Sequence, residues 1–180
     1  NIMRRKVIAI DMDDTLARFL EGLIEVVNRL EGENVKVEDI KSWDMCKYFK
    51  CGHKIYDYLT YDLFRNLRVF DDAIEVVEKL QENYDIYIVS SATSTPDSMV
   101  AKIEWLEEWF PFISKKNIVL CGNKSIIKAD YMIDDGVHNL EDFSGMTILF
   151  DAPHNQMENS FLRFRSWKEI GKFFGLSGGI

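Results

Sequence analysis

Proline is scarce in this chain, 3 of 180 residues with 10 glycines, too few for a collagenous or low-complexity segment. No run approaches the roughly 18 consecutive apolar residues of a membrane span. The N-terminus carries neither the apolar stretch nor the small-residue cleavage site of a signal peptide, so a cytoplasmic protein without a membrane partner is expected. Asn1 and Ile2 precede Met3, the natural place to start translation, and read as an addition to it. Three cysteines, Cys46, Cys51 and Cys121, make no disulfide framework, which fits a reducing compartment. Cys46, Cys51 and His53 are loosely spaced with no fourth ligand nearby, so reduced structural thiols are expected rather than a zinc site. Positive charge is also short: 22 Lys and Arg against 30 Asp and Glu leave a net charge of −8, which repels the phosphates of long DNA or RNA. A small phosphorylated partner stays compatible with that balance if positive charge is focused locally.

What the chain does have is a globular composition, 47% hydrophobic and 29% charged, over a length that suits one ordinary domain. Its apolar residues alternate between two rhythms. Lys6 to Ile10 is a short apolar run ending in acids, as in a buried parallel strand. Leu16 to Leu30 carries apolar residues at helical spacing, with Gly32 placed to stop it. A helix follows from about Asp72 to Glu82, then the strand Ile86 to Val89 ending in Ser90-Ser91. Thr95-Pro96-Asp97 reads as a helix start, with a capping hydroxyl and proline at the first helical position. That helix would bury Met99, Ile103, Leu106 and Phe110. Strands are expected at Ile118–Leu120 and Tyr131–Ile133, then a last one at Thr147–Phe150, and a terminal helix near Trp167 to Phe174. Strand-helix alternation of this kind implies an α/β sandwich around a parallel sheet.

The stretch from about Gly32 to Phe70 breaks the rhythm and reads as an inserted, mostly helical cap. Eight aromatics crowd into it: Trp43, Tyr48, Phe49, Tyr56, Tyr58, Tyr61, Phe64 and Phe70. Rings at that density suit a pocket that stacks on a planar group, although most of them are better assigned to the cap's own small core.

Ligands of doubly wound sheets bind beyond the carboxyl ends of the strands, so the residues that follow each strand belong together. They are Asp11-Met12-Asp13-Asp14-Thr15, Ser90-Ser91, Lys124 and Asp134-Asp135. Singly, each has a turn or capping explanation. Together, Asp11, Asp13, Asp134 and Asp135 put four negative charges at one sheet edge, which calls for a cation among them. An all-oxygen donor set suits magnesium, an ion suited to phosphoryl transfer, with Lys124 and Ser90 left to neutralise and orient phosphate oxygens.

The motif order Asp-x-Asp-x-Thr, Ser, Lys, Asp-Asp resembles the haloacid dehalogenase-like (HAD) superfamily of aspartate-nucleophile phosphotransferases over essentially the whole chain. More narrowly, Asp11 to Ala17 with Phe19, Lys124 ten residues before Asp134, Ile133-Asp134-Asp135, and Leu149 to Asn155 look like its 5′(3′)-deoxyribonucleotidase branch. The resemblance implies a HAD-like Rossmannoid sandwich, with residues 3–17 and 71–176 as the core and 18–70 as a small helical cap. It implies that Asp11 is the nucleophile and a magnesium ligand. Asp13 would be the acid and base, contact substrate, and ligate the metal through its carbonyl. Ser90, helped by Ser91, would hold phosphate, as would Lys124, a better match to the branch than Lys128. Asp135 is favoured as the direct metal ligand with Asp134 beside it, and Phe19 and Trp43 would line the nucleotide pocket. Where animal members carry Gly-Val, this chain has Asp14-Thr15, the general pattern of the superfamily. His138, His154 and Asn155 are expected in surface or turn roles.

The expected activity is therefore a magnesium-dependent phosphatase of nucleoside monophosphates working through an aspartyl-phosphate. The runner-up is a phosphatase of another small metabolite such as a sugar phosphate, which would not need the aromatic cap. A non-catalytic receiver-like phospho-acceptor is the third reading. It conflicts with the second carboxylate at Asp13, with the insertion, and with acids paired on the fourth strand rather than the first.

Overall fold

All five apolar runs read as strands are strands in the computed structural model, which describes residues 3–176 and so leaves Asn1 and Ile2 outside. They are Val7–Ile10 (β1), Asp85–Ser90 (β2), Ile118–Leu120 (β3), Tyr131–Asp134 (β4) and Met146–Phe150 (β5). A sixth strand, Leu162–Phe164 (β6), extends the edge beside β5. The run expected to be the last strand is thus the fifth of six. Leu-Arg-Phe is three residues at a sheet edge, too short to form the apolar run that betrays a buried strand. Every pairing is parallel, in the order β3-β2-β1-β4-β5-β6.

That order decides where a ligand can sit. The chain leaves β1 to build β2 and β3 on one side, then returns to build β4, β5 and β6 on the other. The crevice of such a sheet opens at this switch point, beyond the carboxyl ends of β1 and β4. These two strands are direct neighbours, so Asp11 and the Asp134-Asp135 pair emerge one strand spacing apart.

The helices are Phe19–Glu31 (α1), Tyr61–Arg65 (α2), Ala73–Leu80 (α3), Asp97–Trp109 (α4), Val137–Leu140 (α5) and Trp167–Phe173 (α6). The first begins at Phe19 rather than Leu16, because the Met12 carbonyl accepts the Leu16 and Ala17 N–H groups and turns the chain first. It buries Leu20, Leu23, Ile24 and Val27 and stops at Gly32, whose φ of 66° is a left-handed cap that a side chain would strain. Helix α4 starts one residue later than expected. Pro96 sits at its N-cap, and Thr95 Oγ1 pairs with Ser98 Oγ at 2.9 Å instead of capping a backbone N–H. Its buried face is Ser98, Ala101, Lys102, Trp105 and Leu106. Apolar spacing selects Met99 and Ile103 instead, because two members of the true face are polar.

Side chains alternate across the sheet. Ile8, Ile10, Ile86, Ile88, Ile133 and Ile148 join the large core with residues of α1, α3, α4 and α6, while Ala9, Val89, Met132 and Leu149 pack with Leu140 of α5 on the other face. Between α1 and α3 lie short 3-10 turns and α2, with no strand longer than an isolated bridge. The segment is pinned where it leaves and returns: Phe70 N–H donates to Leu16 O at 2.8 Å, and Arg18 N–H to Arg68 O at 2.8 Å. Of its eight aromatics, Phe49 and Phe64 are buried and Tyr48, Tyr58 and Phe70 pack against the core. Trp43, Tyr56 and Tyr61 are exposed. The thiols pack locally: Cys46 Sγ donates to Asp44 Oδ1 at 3.2 Å, and burial with nearby Glu33 pushes Cys51 up to about 11.

Candidate active site

A cavity of about 440 Å³ opens at the switch point, a volume typical of small-molecule sites. Asp11, Asp13, Phe19, Trp43, Ser90, Ser91, Lys124, Asp134 and Asp135 all line it, so every residue assigned from sequence reaches one place. Asp11 follows β1, with its N–H held by the Ile133 carbonyl of β4 at 2.9 Å. Lys124 lies in the loop after β3 and is 3% exposed. Its Nζ donates to Asp11 Oδ1 at 2.6 Å and to Asp134 Oδ2 at 2.9 Å. The competing Lys128 is exposed.

Thr15 is fully buried, with its hydroxyl 3.1 Å from Asp11 Oδ2 and 3.3 Å from Asp135 Oδ1. The loop that carries it is anchored from far away, since Trp167 of α6 donates to the Thr15 carbonyl at 2.9 Å. Asp14 takes a left-handed φ of 59°, a region that Asp tolerates better than most side chains. Its Oδ1 accepts the Leu20 N–H at 2.9 Å and ties the loop to α1.

Five carboxyls (Asp11, Asp13, Asp14, Asp134, Asp135) face two ammonium groups, Lys124 and Lys102. The titration of the group reflects that imbalance. Burial pushes Asp13 up and Asp14 up to about 8. Burial and the Asp11 charge push Asp134 up to about 6 and Asp135 well above the carboxylate range. Burial acts on Asp11 in the same sense, yet Lys124, a hydrogen bond with Asp135 and the Lys102 charge together outweigh it and hold Asp11 below its ordinary value. The ammonium itself is kept charged by Asp11 and Asp134 against its own burial.

Such crowding is relieved by a cation. Oxygens of Asp11, Asp134 and Asp135 lie within 4.8 Å of one another, the one potential ligand triad among the described residues. Hard carboxylate donors at that separation, in carboxylate excess, fit a divalent ion. Both paired acids have both oxygens engaged: Asp134 Oδ2 by Lys124 and Oδ1 by the Gly136 N–H at 2.8 Å, and Asp135 by the Thr15 hydroxyl and the His154 ring.

Three histidine-loop expectations meet different outcomes. His154 is no surface residue: its side chain is 8% exposed and its Nε2 lies 2.8 Å from Asp135 Oδ2. Burial lowers the ring to about 4, so the contact is a hydrogen bond between a neutral imidazole and the Asp135 carboxyl rather than an ion pair. Asn155 does serve a turn, but a buried one, with its amide donating to the Phe150 and Asp135 carbonyls. His138 is exposed at the cavity wall. Trp43 packs edge-on against both histidines, 4.6 Å from His138 and 5.0 Å from His154. Phe19 stacks on Phe64 at 5.5 Å with 6° between planes. Sequence reading missed Lys102 and Tyr56. The signal for Lys102 was a lysine three residues before Trp105 on a face otherwise made of buried residues.

Comparison with known proteins agrees with this geometry. Residues 5–176 match the family model described as 5′ nucleotidase, deoxy (Pyrimidine), cytosolic type C protein. The chain belongs to this family. It is 53% identical over 166 residues to a 5′(3′)-deoxyribonucleotidase of Bacillus subtilis (strain 168), covering 92% of this chain and 96% of the relative. A 5′(3′)-deoxyribonucleotidase of Bacillus phage SPbeta matches with the same figures. Among solved structures, YfnB of Bacillus subtilis, named a HAD-hydrolase and bound to magnesium, superposes with a TM-score of 0.60 at 15% identity over 96% of this chain and 100% of that one. A HAD family hydrolase of Deinococcus radiodurans R1 with bound phosphate and sodium gives 0.61 at 11% identity, over 92% and 93%. The fold is therefore the HAD-like α/β sandwich, and membership of the nucleotidase family makes the chain a phosphoric monoester hydrolase.

Proposed function

We propose that this nucleotidase is a magnesium-dependent phosphatase of nucleoside monophosphates that works through a phosphorylated Asp11. The observation that carries the reading is the Lys124 ammonium, buried between Asp11 and Asp134 with the Asp135 carboxyl in the same cluster. Asp11, Asp135 and the Asp13 carbonyl are the metal ligands of this proposal, with Asp134 beside them, tied to Lys124 and the Gly136 N–H. The ion, when bound, neutralises and orients the phosphate beside the nucleophile.

The protein's own groups divide the chemistry. Asp11, kept ionised by Lys124, attacks phosphorus, and the bond from phosphorus to the sugar oxygen breaks. Asp13, pushed toward its protonated form by burial, gives its proton to that oxygen. A water then attacks the aspartyl-phosphate, Asp13 takes its proton, and the Asp11–phosphorus bond breaks to release phosphate. The opposite directions of the two pKa shifts suit this division of roles. Ser90, Ser91 and Lys124 hold the phosphate oxygens. Residues 18–70 form the cap, in keeping with the hydrogen bonds that pin Arg18 to Arg68 and Leu16 to Phe70. From it Trp43, Tyr56 and Phe19 bring aromatic surface to the cavity, which favours a nucleobase over a bare sugar phosphate.

Phosphate release measured across 5′- and 3′-nucleotides and sugar phosphates, with magnesium and with EDTA, tests the reading. Nucleotides should lead by kcat/KM, and EDTA should abolish turnover. Preference for sugar phosphates would overturn the substrate assignment, and a stable phosphoprotein without turnover would point to the receiver-like reading.

A further inference from the structure

A second buried ammonium stands in the site without a role in the chemistry above. Lys102, on α4, is 1% exposed. Its Nζ lies 3.0 Å from Asp13 Oδ2, donates to Ser90 Oγ at 2.9 Å, and donates to the Ser91 carbonyl at 3.0 Å. Those three partners match the three protons of an ammonium. The Phe64 ring lies 5.2 Å from the nitrogen and keeps it dry. Desolvating a charge is costly, so an ammonium placed here holds its partners firmly.

Asp13 shows the complement. One oxygen is on Lys102, and the other, Oδ1, is buried without any hydrogen-bond partner. We propose that Lys102 is a positioning residue that grips Asp13 by Oδ2 so that Oδ1 is left for the leaving oxygen of the substrate, while fixing the phosphate-binding Ser90 relative to it. This rests on Asp13 being the acid of the proposed reaction. The lysine is itself held in place, because α4 is clamped to the segment around α2: Trp105 Nε1 donates to Leu67 O at 2.8 Å, and Arg65 pairs with Glu108 at 2.7 Å. In the first step Asp13 Oδ1 passes a proton to the sugar oxygen as that oxygen leaves phosphorus. A p-nitrophenolate leaves unaided and needs no proton.

The leaving group therefore separates positioning from simple support of the fold. Lys102→Met keeps the length and apolar stem and removes the ammonium. With magnesium, kcat/KM should fall by roughly 10²- to 10³-fold for the best alkyl phosphate of the panel, nucleotide or sugar phosphate, and by under about ten-fold for p-nitrophenyl phosphate. Equal losses on the two substrates, a greater loss on p-nitrophenyl phosphate, or no loss on either would overturn the proposal. A wild-type protein that turns over both substrates while the variant shows no split sinks this inference alone; a wild type inert to both sinks the phosphatase reading with it. If Lys102→Met does not fold, Asp13→Asn and Asp13→Asn/Lys102→Met are compared instead, since neither leaves an unpaired Asp13 charge. The second substitution should then cost only a few-fold on the alkyl phosphate, and a further loss of about a hundred-fold would overturn the proposal.

Discussion

Replacing Asp11 with asparagine should abolish turnover and leave the fold almost untouched. The substitution keeps the shape of the side chain, so Lys124 still finds an oxygen at position 11. At an effective dielectric near 20, the attraction across the 2.6 Å Lys124–Asp11 contact is about 6 kcal/mol. Repulsion from Asp134 and Asp135, whose oxygens lie within 4.8 Å, is about 3.5 kcal/mol for each when ionised. With Asp135 pushed toward its neutral form, only the Asp134 repulsion is relieved, which offsets about half of the lost attraction, and without metal the variant should lie about 3 kcal/mol below wild type. Magnesium should separate the two proteins. At a hundred times its Kd it would stabilise the wild type by about 2.7 kcal/mol, a rise in Tm of roughly 5–10 °C. A variant missing one ligand should rise by much less. Thermal melts with EDTA and with magnesium, together with phosphate release, measure both effects, and kcat should fall on the order of 10⁵-fold. Near-normal turnover would refute the covalent mechanism, and a variant unfolded in EDTA would refute the charge balance.

Three further outcomes follow from other contacts. His154→Ala should weaken magnesium binding by about 10- to 100-fold in a calorimetric titration, because Asp135 loses the imidazole that orients it; unchanged affinity would show the ring to be idle. Trp43→Ala should leave Tm unchanged, since the side chain is 60% exposed. It should lower kcat/KM for nucleotides by about 5- to 150-fold, as expected for one lost stacking partner, and leave p-nitrophenyl phosphate unaffected. Asp130 is held below its ordinary pKa by hydrogen bonds from Arg4 and the Val7 N–H. A depressed carboxyl stabilises the fold above its unfolded pKa near 4 and loses that contribution as pH falls through the folded value. Asp130→Asn should therefore melt lower than wild type at pH 7, with the gap closing in acid, as followed by Tm across pH; a gap independent of pH would contradict the linkage.

The acids that line the cavity were legible because of where parallel strands put them. A strand buried on both faces must be an apolar run, so its end is visible, and the polar residue after that end stands at the sheet's carboxyl edge. Asp11, Ser90 and Asp134 were readable on that ground. Lys124 required the motif order as well, being four residues past its strand. Strand β6 was invisible because Leu162–Phe164 is too short to make a run. The burial of Lys102 was hidden for the opposite reason: periodicity reads a lysine as solvent-facing, and the buried face of α4 mixes Ser98 and Lys102 with Ala101, Trp105 and Leu106. His154 reads as a surface or turn residue from sequence because nothing local relates it to Asp135, nineteen positions away.

The sequence by itself determined the alternation of buried strands and amphipathic helices, the acids and hydroxyl at the strand ends, and the aromatic insertion, since each depends on the character of neighbouring residues. Only the tertiary structure decided that β1 and β4 lie side by side, that Lys124 and Lys102 are buried against different aspartates, and that one oxygen of Asp13 is left without a partner. Those are pairings between segments far apart in the chain, and desolvation, which makes a charge costly until it finds its counter-charge, exists only once the core has closed around them.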